Sequence, residues 1–167
     1  MSYPSARYLD EIGQVSATLR TADAGPDLLI GERTQVHHLA TGASTDGQFG
    51  LYRWDMAPRP KGGGPSGHFH RTMSESFYVL DGTVSLYNGD TWVDATAGDF
   101  LYVPPGGIHA FSNNSGAAAS MLILFAPGAP REAYFEALAE LVASGRELSQ
   151  EEQLELWARH DQYPAKI

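Results

Sequence analysis

Two stretches decide the fold: residues Gly67 to Gly82, GHFHRTMSESFYVLDG, and residues Gly98 to Asn113, GDFLYVPPGGIHAFSN. In the first, a glycine-rich run leads into two histidines one residue apart. Side chains alternate across a strand, so His68 and His70 are expected to face one way and to reach one ion together. After the short turn Arg71 to Ser74, Glu75 opens a strand on which Glu75, Phe77 and Val79 share one face while Ser76, Tyr78 and Leu80 share the other. A carboxylate on an inward apolar face needs a partner to offset its desolvation, and a divalent metal is such a partner. The second stretch reads as a strand from Asp99 to Val103, a Pro/Gly turn, and a third histidine, His109, with Phe111 and Asn113 on its face. Three imidazoles and one carboxylate make a mixed N/O donor set for one divalent transition metal per chain, with Fe, Ni, Mn, Co and Zn all open and coordination positions left for water, substrate or dioxygen.

Working outward, residues 28 to 127 are a succession of short β-type runs separated by turn residues, the pattern of an all-β sandwich or barrel. The candidate strands are 27–30, 34–39, 50–56, 76–80, 83–87, 91–95, 99–103, 109–112 and 120–125. Asp81-Gly82 and Asn88-Gly89-Asp90 supply the positive-φ residues that hairpins need. Beyond Pro127 the period changes. Pro130 suits a first helical position, Tyr134, Phe135, Leu138, Leu141 and Val142 form an apolar stripe, and Gly145 ends it. A second helix is predicted from a capping box between Ser149 and Glu152, with Leu154, Leu156 and Trp157 apolar and Arg159 near its end. The aromatics of both helices are read as packing on the barrel. Residues 1–27 carry only loose helical spacing at Tyr8, Ile12 and Val15 and are expected to be an arm or short helix; residues 128–167 form a C-terminal helical extension.

Composition bounds the function. The chain has 167 residues, 43% of them hydrophobic, which suits one globular domain and excludes a disordered or collagen-like protein. A formal net charge of −9 argues against nucleic acid and anionic membranes as partners. The absence of cysteine excludes disulfides, thiolate nucleophiles and Cys-type zinc sites, so a metal must be held by histidine and carboxylate. The opening residues lack a signal-peptide pattern, the longest apolar run, Met121 to Pro127, is strand-sized, and a cytoplasmic protein is expected. Lys61 to Gly67 is not a phosphate loop, because the Gly-Lys-Ser/Thr ending is missing.

Other polar residues point elsewhere. His37 and His38 are adjacent, so on a strand they face opposite ways and cannot share an ion, one expected outside and the other near the barrel wall. His160 sits at a helix end, where a cation is favourable. Tyr52, Trp54 and Met56 share a strand face read as core or dimer surface, with a flat pocket as the alternative.

The two stretches together resemble the cupin family. Gly62, five residues, His68-x-His70, four residues, Glu75, six residues and Gly82 match its first motif. Gly98, five residues, Pro104-x-Gly106, two residues, His109, three residues and Asn113 match its second. The resemblance covers residues 28–127 and implies a double-stranded β-helix, the cupin or jelly-roll barrel, all-β with C-terminal α-helices, whose metal is bound by His68, His70, Glu75 and His109.

Fold alone does not select a reaction. A metal ringed by Met56, Phe69, Phe77, Val79, Phe111 and Asn113 would form a mostly dry pocket for an aromatic or flavonol-like molecule that chelates through oxygen. Ala126-Pro127-Gly128 and the helix carrying Tyr134-Phe135 are similar to small quercetinase-like dioxygenases, which implies Glu75 as both ligand and general base. The alternatives are a polyketide-cyclase-like cupin using a Lewis-acid metal and a non-catalytic metal-dependent binding protein. Exposed strands need covering, so a homodimer is expected, using the arm and outward Tyr78, Leu80 and Tyr102.

Overall fold

The computed structural model describes residues 2–58 and 66–167. Gly62, the first position of the first motif, and most of the glycine-rich run lie outside the described residues. Among the described residues eleven strands and two helices follow in order: β1 Leu28–Ile30, β2 Thr34–Ala40, β3 Gly50–Met56, β4 His68–Phe69, β5 Ser74–Asp81, β6 Thr83–Tyr87, β7 Trp92–Thr96, β8 Phe100–Val103, β9 Ala110–Ser112, β10 Ala119–Ala126, α1 Arg131–Ser144, α2 Gln150–Arg159 and β11 Tyr163–Pro164. Among the described residues no helix is long and apolar enough to cross a membrane.

One sheet of six strands runs β1-β2-β3-β10-β5-β8, and three strands, β7-β6-β9, form another. A third pair, β11-β4, joins β9 through a bridge between His68 and His109. Strict alternation builds the core: every second residue of β3 and of β10 is buried. Registers Trp54↔Met121 and Tyr52↔Ile123 on one side of β10, and Phe77↔Ile123 and Val79↔Met121 on the other, stack these side chains on one inner face. This is the double-stranded β-helix expected from the motifs.

Asn88 to Asp90 closes a hairpin between β6 and β7. Asp81-Gly82 does not: β5 pairs with β10 and β8, whereas β6 pairs with β7 and β9. At Gly82 (φ 71°) the chain turns a corner from one sheet to the other. A Cβ there would stand 2.4 Å from the Ala118 carbonyl oxygen, so glycine is needed for a close backbone approach as well as for its dihedral.

Residues 2–27 contain no helix. Ile12 and Val15 of the expected stripe, with Leu9 and Leu19, are more than four-fifths exposed, so among the described residues nothing packs against the apolar side that a helix here would present. At the other end Pro130 is the N-cap of α1 rather than its first residue, and Gly145 closes the helix in the left-handed conformation. The predicted capping box starts α2, with Ser149 accepting from the Glu152 amide and the Glu152 carboxylate from the Ser149 amide. Tyr134, Phe135 and Trp157 are buried with the inner face of the barrel. The two helices therefore roof the barrel mouth.

Candidate metal centre

The His68↔His109 bridge exchanges both backbone hydrogen bonds, His68 N to His109 O at 3.1 Å and His109 N to His68 O at 2.9 Å. Residues opposed in this way project to the same face, which brings the two imidazole centroids to 4.3 Å. His70 follows one residue beyond β4, and Glu75 enters from β5. One ligand atom from each of His68, His70, Glu75 and His109 lies within 4.8 Å of the others, and all four residues are buried.

Outer partners set the tautomers. The Nδ1 atoms of His68, His70 and His109 lie 3.2, 2.6 and 3.0 Å from the backbone carbonyls of Ser66, Asp161 and Gly107. A carbonyl only accepts, so each Nδ1 carries the proton and each neutral ring keeps its lone pair on Nε2. Two of those Nε2 atoms, of His70 and His109, stand 2.9 and 2.8 Å from the same oxygen, Oε2 of Glu75. Lone pair against carboxylate lone pair is repulsive. The cluster needs protons on the imidazoles or a cation among the four donors, and its donor chemistry fits a single divalent metal.

The charges follow the same geometry. Burial pushes His68 down to about 3, with the neighbouring His109 charge acting in the same direction. Burial opposes the His109 cation too, but the Glu75 charge and hydrogen bond, with the Gly107 carbonyl, outweigh it and raise that histidine. Burial favours a neutral Glu75, yet His109 and His70 hold its carboxyl well below the ordinary range.

Asp161 was not visible in the sequence as a site residue. Besides its carbonyl on His70, its carboxylate accepts from the amides of Arg71 and Thr72 and from the Thr72 hydroxyl, the last two at 2.8 and 2.6 Å. Its φ is 54°. An aspartate at the left-handed position just past a helix was the available signal. β11 then pairs Tyr163 with Phe69 and Pro164 with His68, fastening the chain beyond α2 to the ligand strand.

A cavity of about 920 Å³ opens onto His68 and Glu75. Met56, Phe111 and Asn113 line it; Phe77 and Val79 are fully buried and do not. Phe69 turns to stack on Tyr163, centroids 5.4 Å apart. The Asn113 amide donates to the Ala117 carbonyl at 2.8 Å, tying down the turn before β10. Trp54, Arg131, Tyr134 and Trp157 also line the cavity, the last three contributed by the roof. His37 is buried on the outer face of the sheet against Arg53 and Asp55, His38 packs edge-on to Tyr52, and His160 caps α2, so none of them joins the cluster.

Residues 55–125 match the family model of the cupin domain. A quercetin 2,3-dioxygenase of Bacillus subtilis is 32% identical over 104 residues, which are 62% of this chain and 29% of that protein. The chain thus spans less than a third of that relative's length. Among solved structures, a predicted oxalate decarboxylase of Thermotoga maritima superposes with a TM-score of 0.56 at 19% identity, covering 66% of this chain and 99% of that one. A polyketide cyclase of Streptomyces resistomycificus does so at 0.52 and 20%, covering 68% and 80%. At these identities the structural likeness speaks for the fold.

Proposed function

We propose, from the premise that residues 55–125 of this chain are a cupin domain, that the protein is a metal-dependent dioxygenase acting on an aromatic or flavonol-like molecule that chelates the metal through oxygen. The observation that carries the metal is the pair of imidazole Nε2 atoms facing one Glu75 oxygen while each ring's Nδ1 is committed to a carbonyl. The choice of reaction is supported by likeness to the quercetin dioxygenase.

A divalent ion held by His68, His70, Glu75 and His109 would supply Lewis acidity for the chelating oxygens and, if redox-active, a centre for dioxygen chemistry. The chain's own residues do the rest. Glu75 takes the proton of the substrate hydroxyl. Its carboxyl is held well below the ordinary range by His109 and His70, and an ion held by the same four residues would favour the ionised form further, so it is a carboxylate that meets the hydroxyl proton. Met56 and Phe111 exclude water from the ring.

We also place a second copy of the chain against the outer face of β5 and the edge strand β8. Tyr78, Leu80, Phe100 and Tyr102 are exposed there, and the arm carries the unpacked Leu9, Ile12 and Leu19. Light scattering should give twice 18.1 kDa; the monomer mass would exclude the dimer.

The first experiment is metal analysis of untagged protein beside His70→Ala, followed by oxygen-electrode assays with flavonols. Near-stoichiometric metal lost in the variant, with oxygen uptake tied to flavonol loss, is expected. Product formed without oxygen would instead indicate Lewis-acid cyclisation, and binding without product a carrier. Wild-type protein that takes up no metal would sink the enzyme reading.

A further inference from the structure

Arg131 is the first residue of α1, 4% exposed, and no carboxylate lies within ion-pair distance of it among the described residues. Its Nη1 donates to the His160 carbonyl at 2.8 Å and its Nη2 to Gln162 Oε1 at 3.2 Å. Its Nε–H meets no acceptor. The guanidinium lies over the rings of Tyr134 and Phe125, 4.5 and 5.0 Å from their centroids. A cation in the first turn of a helix also stands at the positive end of the helix dipole. The charges of Glu75 and Asp161 favour it only from beyond contact distance. Burial, an orphaned donor, the lack of an ion pair in contact and the wrong helix end all count against keeping this arginine for stability alone.

A second buried donor has the same deficit. Trp54, 8% exposed, packs edge-on to Phe111 and Phe135, and its indole N–H has no partner. Both residues line the cavity that opens onto His68 and Glu75. Of the buried charged side chains lining that cavity, one is the candidate metal ligand Glu75 and the other is Arg131. A divalent ion at the ligand cluster would leave the interior with a net positive charge of two, so an anionic guest restores the balance.

We propose that Arg131 and Trp54 form an oxyanion subsite in the substrate cavity, and that the substrate is an aromatic anion, with a carboxylate or second ionised oxygen held by these two donors. The subsite rests on the enzyme reading above for its role, though not for its test. Arg131, being fixed in charge, reads the negative charge; Trp54 supplies direction. Both are specificity-determining residues rather than groups that take part in the chemistry.

The test is calorimetric titration of the protein as purified, its metal content recorded, with biphenyl-4-carboxylate and its neutral isostere biphenyl-4-carboxamide. Wild-type protein should prefer the carboxylate by about tenfold or more, and Arg131→Met should abolish that preference while the carboxamide changes by about twofold at most. Survival of the preference in Arg131→Met would mean the charge is read elsewhere, the metal included, and would overturn the assignment. Equal weakening of both ligands would reduce Arg131 to a roof support, and absence of a preference in wild type would refute the subsite outright. Trp54→Phe provides a second variant should Arg131→Met fail to fold: it should weaken the carboxylate by about threefold or more, and an unchanged affinity counts against the proposal. An Arg131-dependent preference in protein that holds no metal would leave the subsite standing while the enzyme reading fails; oxygen uptake without any preference would do the reverse.

Discussion

Replacing Asp161 by asparagine removes one charge and one acceptor oxygen while keeping the size, and the tolerance of left-handed backbone, that φ 54° requires. The native carboxylate accepts from two amides and one hydroxyl, those of Arg71 and Thr72. All three donors reach Oδ2, and the Arg71 amide reaches Oδ1 as well, so an asparagine with its oxygen in the Oδ2 place keeps those contacts, loses the one at Oδ1 together with the charge, and turns an N–H toward the Arg71 amide. Charge-assisted hydrogen bonds contribute about 1.5–3 kcal/mol when buried. Asp161 is only partly buried and water replaces part of the bond, so about 1 kcal/mol is expected. For a chain of this size that lowers the melting temperature by about 2–4 °C. The same loop carries His70, whose Nδ1 rests 2.6 Å from the Asp161 carbonyl. Disturbing such an outer partner typically costs about 10–100-fold in metal affinity. Thermal unfolding with and without chelator, and metal titration against a competing chromophoric chelator, measure the two effects separately. Unchanged metal affinity in a variant that has lost stability would refute the bracing of His70, and a variant unchanged in both would refute the whole account of the loop.

Gly82→Ala should destabilise by about 3 kcal/mol or more, because a Cβ at φ 71° also meets the Ala118 carbonyl oxygen at 2.4 Å; chemical denaturation giving less than about 1 kcal/mol would contradict the corner geometry. Chelated protein should be most stable near pH 6.5. The raised His109 contributes stability that is complete below 6.5 and is lost as pH climbs through its folded value. His68, lowered to about 3, withdraws stability as pH falls from 6.5, and the depressed Glu75 adds to that loss below 4.5. A flat melting profile between about pH 5 and 8 would count against these shifts. Ser149→Ala, which removes one arm of the capping box, should cost about 1 kcal/mol and lower the melting temperature by about 2–4 °C without altering metal content.

The strands were readable where alternation is strict. β3, with Tyr52, Trp54 and Met56 in and Arg53 and Asp55 out, appears at the bounds its pattern predicts. The four clustered side chains were readable because local spacing and strand parity fix their direction. What holds them was hidden. The contact of His70 with Asp161 spans 91 positions and depends on how α2 docks, which no local period encodes. β11, two residues long and containing a proline, carries no strand signal of its own. Asp81-Gly82 read as a hairpin because the local dihedral demand is the same for a hairpin and for a corner between sheets; pairing partners decide, and they lie elsewhere in the chain. Phe69 sits on the ligand strand but takes the opposite face from its histidine neighbours, as parity requires, and finds Tyr163 there. Nothing in the local sequence singles out Arg131; its three aromatic neighbours and its place on the cavity wall come from distant parts of the chain.

The carbonyl that orients His70 belongs to a residue the ribosome adds 91 positions later. At ordinary rates of synthesis that interval is about 5–18 s. Six of the eleven described strands, β5 to β10, are made within that interval, and until Asp161 follows them the His70 Nδ1 lacks its carbonyl. The brace on His70 is therefore completed only after the barrel strands, by the segment that follows α2 and fastens onto β4.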